Sequence, residues 1–208
     1  MRGKRVLAVS RRAFIGTALS GLAVAAVRRT DAGTPGGETG IAPRLLRRAL
    51  DALERHRDRL EHRDVIGIAD FSLPSRAPRF YLLALGDGSL SSHLVAHGRG
   101  SDPTHSGWLE HFSNELRSNA TSAGAYRTGD PYVGSHGHSL HLEGLDPTNS
   151  TAASRAIVVH GAWYVSRRMV LYRGMLGRSE GCFAVADSSL AELLTRLGQG
   201  RLIYADKT

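Results

Sequence analysis

The chain has 208 residues, of which 41% are hydrophobic and 22% are charged. This is the composition of a globular protein that is large enough to bury a core without stabilising cross-links. The formal charge of +8 points to a nucleic-acid partner, but five basic residues and no acidic ones lie within the first 26, and without them the charge is about +3. The composition therefore excludes a nucleic-acid binder that works by charge.

The first 26 residues have the three-part organisation of a secretory signal: a basic leader, an apolar run from Ala13 to Ala26, and small residues at Ala23-Val24-Ala25. The apolar run is too short to span a bilayer comfortably. Ser10-Arg11-Arg12-Ala13-Phe14-Ile15 resembles the bacterial twin-arginine signal. We expect residues 1–26 to be a twin-arginine signal peptide that directs export of the chain to the periplasm or cell-wall space. Once this peptide is cleaved, no stable membrane anchor is expected to remain. An uncleaved anchor is the alternative.

A linker and one helix are predicted next. Residues 27–43 are small, polar and rich in Gly and Pro, which is typical of a flexible linker. In the following segment, residues 44–64, Leu and Ala recur at helical spacing with charged residues between them. This pattern predicts one amphipathic helix from about Pro43 to His62. Its basic face is interpreted as a solvated outer face, with contact to a membrane or an anionic polymer as the alternative.

Short β-type runs dominate residues 65–208, bounded by Gly and Pro. They are VIGIADFSL, RFYLLALGDGSLSSHLVAHG with a hairpin at Gly86-Asp87-Gly88, AGAYRTGDPYVG, HSLHLEGL, RAIVVHGAWYV and RLIYA. Asp187-Ser188-Ser189 is predicted to cap a helix that ends near Leu197. The predicted fold is therefore mostly β, a sandwich or barrel with an N-terminal amphipathic helix and a C-terminal helix.

Cys182 is the only cysteine of the chain, although exported proteins usually use cysteine in disulfide pairs. It could be an inert buried residue, pair with another molecule, or be a nucleophile that is kept free. Gly181 directly before it, with Ser179 two residues further back, allows a tight turn that presents amide groups near the sulfur. Because a thiolate nucleophile needs a base and an oxyanion site, this sequence favours the third interpretation.

His160 is the histidine best placed to act as the base. It ends the apolar strand AIVVH and is followed by Gly161, so that it would project from a central strand into a cleft. The alternative is a histidine that makes its hydrogen bonds inside the core.

These two segments resemble a known family. Ile157-Val158-Val159-His160-Gly161-Ala162, followed by Gly177-Arg178-Ser179-Glu180-Gly181-Cys182, is similar to the catalytic signature of the murein L,D-transpeptidases, the YkuD-type cysteine transpeptidases, and in particular to their catalytic-domain-like branch. The segments DFSLPS from Asp70, AHGRGS from Ala96, FSN from Phe112 and GSHGHSL from Gly134 are similar to that branch too. The similarity covers roughly Val65 to Val185.

The resemblance implies a reaction on peptidoglycan stem peptides that needs no cofactor. Cys182 would attack the carbonyl of the L-centre of the third stem residue and expel D-Ala, and an amine of a neighbouring stem or water would resolve the thioester. His160 would carry the proton, oriented by the Gly161 carbonyl or by Ser179. The amides of Gly181 and Cys182 would form the oxyanion hole.

Four further residues are predicted to bind substrate: Arg178, His136, His97 and Asn114. Arg178 would lower the thiol pKa or hold a substrate carboxylate, and the alternative is an arginine that braces the fold. His136 also invites a metal interpretation together with His138 and His141. No acidic or thiol ligand joins these three at a familiar spacing, so we expect no metal site.

Glu180 and Phe183 depart from the family pattern and keep other functions open. A non-catalytic wall-binding domain with a degenerate site is one alternative, and these two residues are its best support. A sortase-like transpeptidase is another, although in that family an arginine follows the cysteine, and here only Arg196 and Arg201 follow Cys182, the first of them in a predicted helix.

Overall fold

The computed structural model describes residues 40–208; the predicted signal peptide and most of the predicted linker lie outside these described residues. None of the helices in the described part is long and apolar enough to cross a membrane. The helices are α1 (Pro43–Arg55), α2 (Arg167–Arg173) and α3 (Asp187–Leu197). The strands are β1 (Val65–Asp70), β2 (Phe80–Ala84), β3 (Leu90–His93), β4 (Val95–Ala96), β5 (Gly124–Gly134), β6 (Gly137–Gly144), β7 (Val158–Gly161), β8 (Phe183–Val185) and β9 (Leu202–Asp206).

All nine strands belong to one sheet, in the order β3-β2-β1-β9-β5-β6-β7-β8-β4. The pairs β1–β9 and β7–β8 are parallel, and the other pairs are antiparallel. The two edge strands, β3 and β4, are separated only by Leu94. One continuous segment therefore pairs with β2 at its start and with β8 at its end, which almost closes the sheet into a barrel. The mostly β fold predicted from the sequence is confirmed.

Helix α1 covers the outer face of the sheet. Its buried side chains, Leu45, Leu46, Ala49, Ala52 and Leu53, belong to one apolar cluster with Ile66, Ile68, Tyr81, Leu83, Leu202 and Tyr204 of β1, β2 and β9. The helix ends at Arg55, earlier than the predicted His62, because the chain leaves α-helical geometry at His56 and forms a short 3-10 turn. Leu60, at a helical spacing from Leu53, joins the same cluster from an extended conformation.

The inner core is held by aromatic rings from several strands. Phe183 of β8 contacts Phe71, Phe80 and Tyr126, with ring centroids 5.3 to 6.4 Å apart. Helix α3 adds Leu193 and Leu197 to this core. The helix spans the predicted residues, but its N-cap is Ala186 and no side chain caps it, so the capping predicted for Asp187-Ser188-Ser189 is wrong.

The chain between β7 and β8 differs from the sequence prediction. RAIVVHGAWYV was expected to be one strand to Val165, but β7 ends at Gly161 and α2 follows. The hydroxyl of Ser166 accepts a hydrogen bond from the Met169 amide (3.1 Å), and Gly174 ends α2 in the left-handed conformation. Because α2 buries none of its residues, it has no amphipathic pattern from which a helix could be predicted.

Candidate active site

Cys182 lies in a tight turn immediately before β8 and is only 9% exposed. The hydroxyl of Ser179 holds this turn, because it donates to the Cys182 carbonyl (2.7 Å) and accepts from the Gly181 amide (3.2 Å). Gly181 has φ +116°, and a Cβ there would lie 2.7 Å from the Ala120 carbonyl oxygen. Only glycine fits this position, which explains the Gly-Cys pair of the sequence.

The segment from His97 to Arg99 supports the turn from one side. The Ser179 amide donates to the His97 carbonyl (2.9 Å), and the Arg99 amide donates to the Ser179 carbonyl (2.8 Å). Gly98 permits this close approach, since a Cβ on it would lie 2.8 Å from backbone atoms of Gly181. The backbone before the thiol is thus built into the sheet rather than carried on a free loop.

His160 is buried near the end of β7, between Ser139 of β6 and Ala184 of β8. Its Nδ1 lies 2.8 Å from the Gly161 carbonyl oxygen. Because a carbonyl can only accept, Nδ1 carries the hydrogen and Nε2 is the nitrogen that can take up a proton. Burial lowers the pKa of His160, and the charge of His136 acts in the same direction.

One cavity of about 660 Å³ brings most of the predicted residues together. Cys182, His160, Ser179, Arg178 and His136 all line it. Gly161 is not among the residues that line the cavity, but its carbonyl accepts a hydrogen bond from His160. A second cavity of about 830 Å³ includes neither Cys182 nor His160, so the smaller cavity is the candidate active site.

The thiol is held in its neutral form. Burial raises the pKa of Cys182, and the charge of Glu180 raises it further, while the Val158 amide and the charge of Arg155 act in the opposite direction. The Sγ atom lies 3.6 Å from the Ala156 carbonyl oxygen, to which it donates. With a raised thiol pKa and a lowered imidazole pKa, the resting pair is thiol and neutral imidazole.

Three residues of the signature have contacts that the sequence did not reveal. Arg178 lines the cavity, but its Nη1 donates to the carbonyls of Asp102 and Pro103, so the guanidinium also braces the wall. Glu180 is 70% exposed at its side chain and forms an ion pair with Arg99 (2.9 Å). Phe183 is fully buried in the aromatic core. Of the two departures from the family pattern, Phe183 therefore concerns the core, whereas Glu180 lies at the cavity rim and its charge raises the pKa of the thiol.

The Gly181 amide donates a hydrogen bond to the Ser179 hydroxyl. Of the two amides predicted to form the oxyanion hole, the Cys182 amide is therefore the remaining candidate. The Ser179 hydroxyl is bonded to the turn that holds Cys182 and not to His160. Of the two groups predicted to orient the imidazole, only the Gly161 carbonyl contacts it.

The structure does not bring His97 and Asn114 to the cavity. His97 is 1% exposed and joins Arg79 to Asp102: Arg79 donates to its Nδ1 (2.7 Å), and its Nε2 lies 3.2 Å from Asp102 Oδ2. Asn114 is bonded to the Pro147 carbonyl and to Thr151. Both side chains use their polar atoms inside the protein, which does not fit the substrate contacts predicted for them.

Two cavity residues were missed by the sequence analysis. Arg155 donates to the carbonyls of Ser113 and Ala120 and to the hydroxyl of Ser122, and it lowers the pKa of the thiol. Tyr164 lines the cavity, and burial raises its pKa to about 12. Arg155 lies five residues before His160, but its hydrogen-bond partners lie more than thirty residues earlier in the chain. No local sequence pattern could therefore predict these contacts.

Backbone strain is concentrated at this cavity. Arg117, Asn119 and Ala156 line it and have positive φ angles of 64°, 55° and 52°, which non-glycine residues rarely adopt. Strained backbone of this kind clusters at functional sites, where the surrounding structure maintains it. In the described part of the chain, no group of three or more His, Cys, Asp or Glu residues is arranged to hold a metal ion.

The fold and the site define a protein with one nearly closed β-sheet and a buried cysteine that shares a cavity with a histidine. The family model described as L,D-transpeptidase catalytic domain matches residues 38–205, and the chain belongs to this family. The comparison with curated proteins found no match.

Similar solved structures include two L,D-transpeptidases and one cell shape determining protein. An L,D-transpeptidase from Mycobacterium smegmatis has 14% identity and a TM-score of 0.42, over 69% of this chain and 58% of that protein. One from Mycobacterium tuberculosis H37Rv has 15% identity and a TM-score of 0.41, over 69% and 58%. The helical cell shape determining protein Pgp2 from Campylobacter jejuni has 12% identity and a TM-score of 0.46, over 72% and 49%. The chain thus spans about half to three fifths of these proteins.

Proposed function

We propose that the chain is an exported L,D-transpeptidase that acts on peptidoglycan stem peptides through a thioester on Cys182. The observation that carries the proposal is the shared cavity: the Cys182 thiol and the His160 imidazole line it together, and the Gly161 carbonyl holds His160 in the tautomer of a base. Membership of the L,D-transpeptidase family supports the substrate class. We further propose export through the twin-arginine signal at residues 1–26 and a catalytic domain at residues 65–208.

The first half of the proposed reaction forms the acyl-enzyme. Sγ leaves the Ala156 carbonyl and attacks the carbonyl carbon of the L-centre of the third stem residue, while His160 Nε2 takes the thiol proton. The Cys182 amide donates to the oxyanion that forms. The peptide bond to the terminal D-Ala then breaks, and His160 returns its proton to the departing amine. The product is a thioester and free D-Ala.

The second half releases the thioester. The side-chain amine of a neighbouring stem attacks the thioester carbonyl, His160 accepts a proton from that amine, and the carbon–sulfur bond breaks as the thiol is restored. The result is a 3→3 cross-link. If water attacks instead, the product is the shortened stem, and the protein acts as an L,D-carboxypeptidase.

The two alternatives, a non-catalytic wall-binding domain and a sortase-like transpeptidase, have less support than the L,D-transpeptidase. The core position of Phe183 weakens one argument for a degenerate, non-catalytic site, and the ion pair of Glu180 with Arg99 weakens the other, although the charge of Glu180 still raises the pKa of Cys182. The L,D-transpeptidase family match argues against a sortase.

The test is incubation of the purified chain with a disaccharide-tetrapeptide, followed by mass spectrometry. We expect released D-Ala, a thioester adduct on Cys182, and either a cross-linked dimer or a tripeptide product. Cys182→Ala should give none of these, and His160→Asn should lower the rate by at least about a hundredfold. Absence of product and adduct with the unaltered chain would contradict the enzymatic function, and an adduct on Cys182→Ala would contradict the nucleophile.

A further inference from the structure

A second histidine covers the proposed base. His136 lies at the tip of the β5–β6 hairpin, between Gly134 and Gly137, and its side chain is exposed to solvent. Its ring stacks on the ring of His160 with centroids 4.3 Å apart and planes 21° apart. His160 itself is buried, so one imidazole is open to bulk solvent while the one beneath it is not.

Two stacked imidazoles this close cannot both be charged without strong repulsion, so a positive charge at position 136 opposes protonation of His160. An exposed ring can keep a charge hydrated, whereas the buried ring would lose hydration on becoming charged. This agrees with the direction in which His136 moves the pKa of His160.

Other ionisable groups lie near His160. Asp187 at the start of α3 acts on its charge, and the same cavity is lined by Cys182, Glu180, Tyr164, Arg117, Arg155 and Arg178. Asp187 favours the charged imidazole and so opposes the effect of His136. Substitutions at position 136 leave all of these groups in place, so a change in the titration of His160 reports on position 136.

We propose that His136 is a positioning residue whose ring covers His160 and whose positive charge, when present, keeps His160 available as a free base. The role goes beyond the substrate contact predicted for His136, and it rests on the proposed function in that His160 is the base. The proton of the thiol still goes to His160 Nε2, and His136 takes no proton from the substrate. A base that stays neutral below its usual range keeps a thiol with a raised pKa reactive.

Two substitutions separate charge from shape. His136→Phe keeps a flat ring over His160 but cannot carry a charge, so His160 should take up its proton at higher pH. His136→Lys removes the ring and carries a permanent charge, so His160 should take up its proton at lower pH. A residue with only a structural role would move both variants in the same direction or in neither.

The experiment measures His160 in the full chain by its ring-proton NMR titration, assigned with His160→Asn, together with the rate of Cys182 alkylation by iodoacetamide at pH 5.5 and pH 7.5. We expect the ratio of the two rates, pH 5.5 over pH 7.5, to fall roughly threefold in His136→Phe and to rise in His136→Lys. His138→Phe is the matched control, because His138 is exposed on the same hairpin and does not line the cavity.

The proposal would be overturned if His136→Phe and His136→Lys moved the titration of His160 in the same direction. It would also be overturned if His138→Phe moved that titration as far. Neither readout needs peptidoglycan. If the NMR and alkylation shifts occur while the tetrapeptide yields no product, the coupling of the two histidines stands and the proposed function fails. If product forms and the titration of His160 does not move, the proposed function stands and the role of His136 fails.

Discussion

The reactivity of a single thiol depends here on opposing residues. Burial and Glu180 raise the pKa of Cys182, whereas Arg155 lowers it. Since burial also lowers the pKa of His160, the pair rests uncharged and does not form a thiolate–imidazolium ion pair. In the proposed reaction, attack by the thiol therefore requires proton transfer to His160, and the charge of Arg155 is expected to affect the rate.

Arg155 tests this interpretation. Arg155→Met should lower the rate of Cys182 alkylation at pH 7 by on the order of tenfold, because the positive charge that stabilises the thiolate is lost. Arg155→Lys should keep most of the alkylation rate, although both variants should unfold at lower temperature, since neither can reproduce the bonds to Ser113, Ala120 and Ser122. Equal losses of alkylation rate in the two variants would show that the hydrogen bonds matter and the charge does not.

At this scale the sequence was enough to predict that Cys182 and His160 share one site, but not to predict the surroundings of that site. Cys182, His160 and the Gly161 carbonyl could be predicted because strand ends and Gly-Cys turns have local signals. The role of Ser179 depends on the course of the turn, and the burial of His97 depends on Arg79 and Asp102, which lie on other segments. Such contacts between distant segments leave no pattern that a single sequence can show.

At the scale of elements, α1 belongs to the core. Leu45 is fully buried against β1, β2 and β9, and no residue of α1 lines the active-site cavity. The amphipathic pattern was enough to predict this helix because the whole apolar face has one partner. The pattern could not locate its end, since Leu60 reaches the same cluster without helical geometry.

Leu45→Ala should therefore lower the free energy of unfolding by roughly 2–5 kcal/mol, because it leaves a cavity between helix and sheet. Arg47→Ala, at an exposed position of the same helix, should change it by less than about 0.5 kcal/mol. Urea unfolding gives both values. The Cys182 alkylation rate of folded Leu45→Ala should equal that of the unaltered chain, and a faster rate would show that α1 does control access to the cavity.

At the scale of the whole molecule, the closure of the sheet places a buried charge network, formed by Arg79, His97 and Asp102, beside the turn that holds Cys182. The segment that closes the sheet continues from β4 into His97, whose carbonyl accepts from Ser179. Because the Arg79 guanidinium only donates, Nδ1 of His97 accepts and its Nε2–H donates to Asp102. The Asp102 carboxylate also accepts from the amides of Ser106 and Gly107. A neutral His97 thus joins a buried cation to a buried anion at the point where the sheet closes.

This network makes stability depend on pH. Burial lowers the pKa of His97 to about 4, and the charge of Arg79 adds to the effect. An unfolded histidine takes up its proton near pH 6.5, so between these two values the unfolded chain binds more protons than the folded one. The stability associated with His97 is present above pH 6.5 and is lost as the pH falls towards 4, by roughly 3 kcal/mol in all.

His97→Gln isolates this contribution, because its amide can still accept from Arg79 and donate to Asp102 but cannot titrate. Urea unfolding at pH 7.5, 6.0, 5.0 and 4.5 should show the unaltered chain losing stability more steeply than His97→Gln. Burial also lowers the pKa values of His93 and His160, which add the same slope to both proteins and cancel in the difference. Parallel curves would mean that the pKa of His97 is the same in the folded and the unfolded chain, and a relative gain in stability of the unaltered chain as the pH falls would mean that His97 is protonated in the fold at neutral pH. In that case the ion-pair network, and not a neutral relay between Arg79 and Asp102, would hold the closing segment against the nucleophile turn.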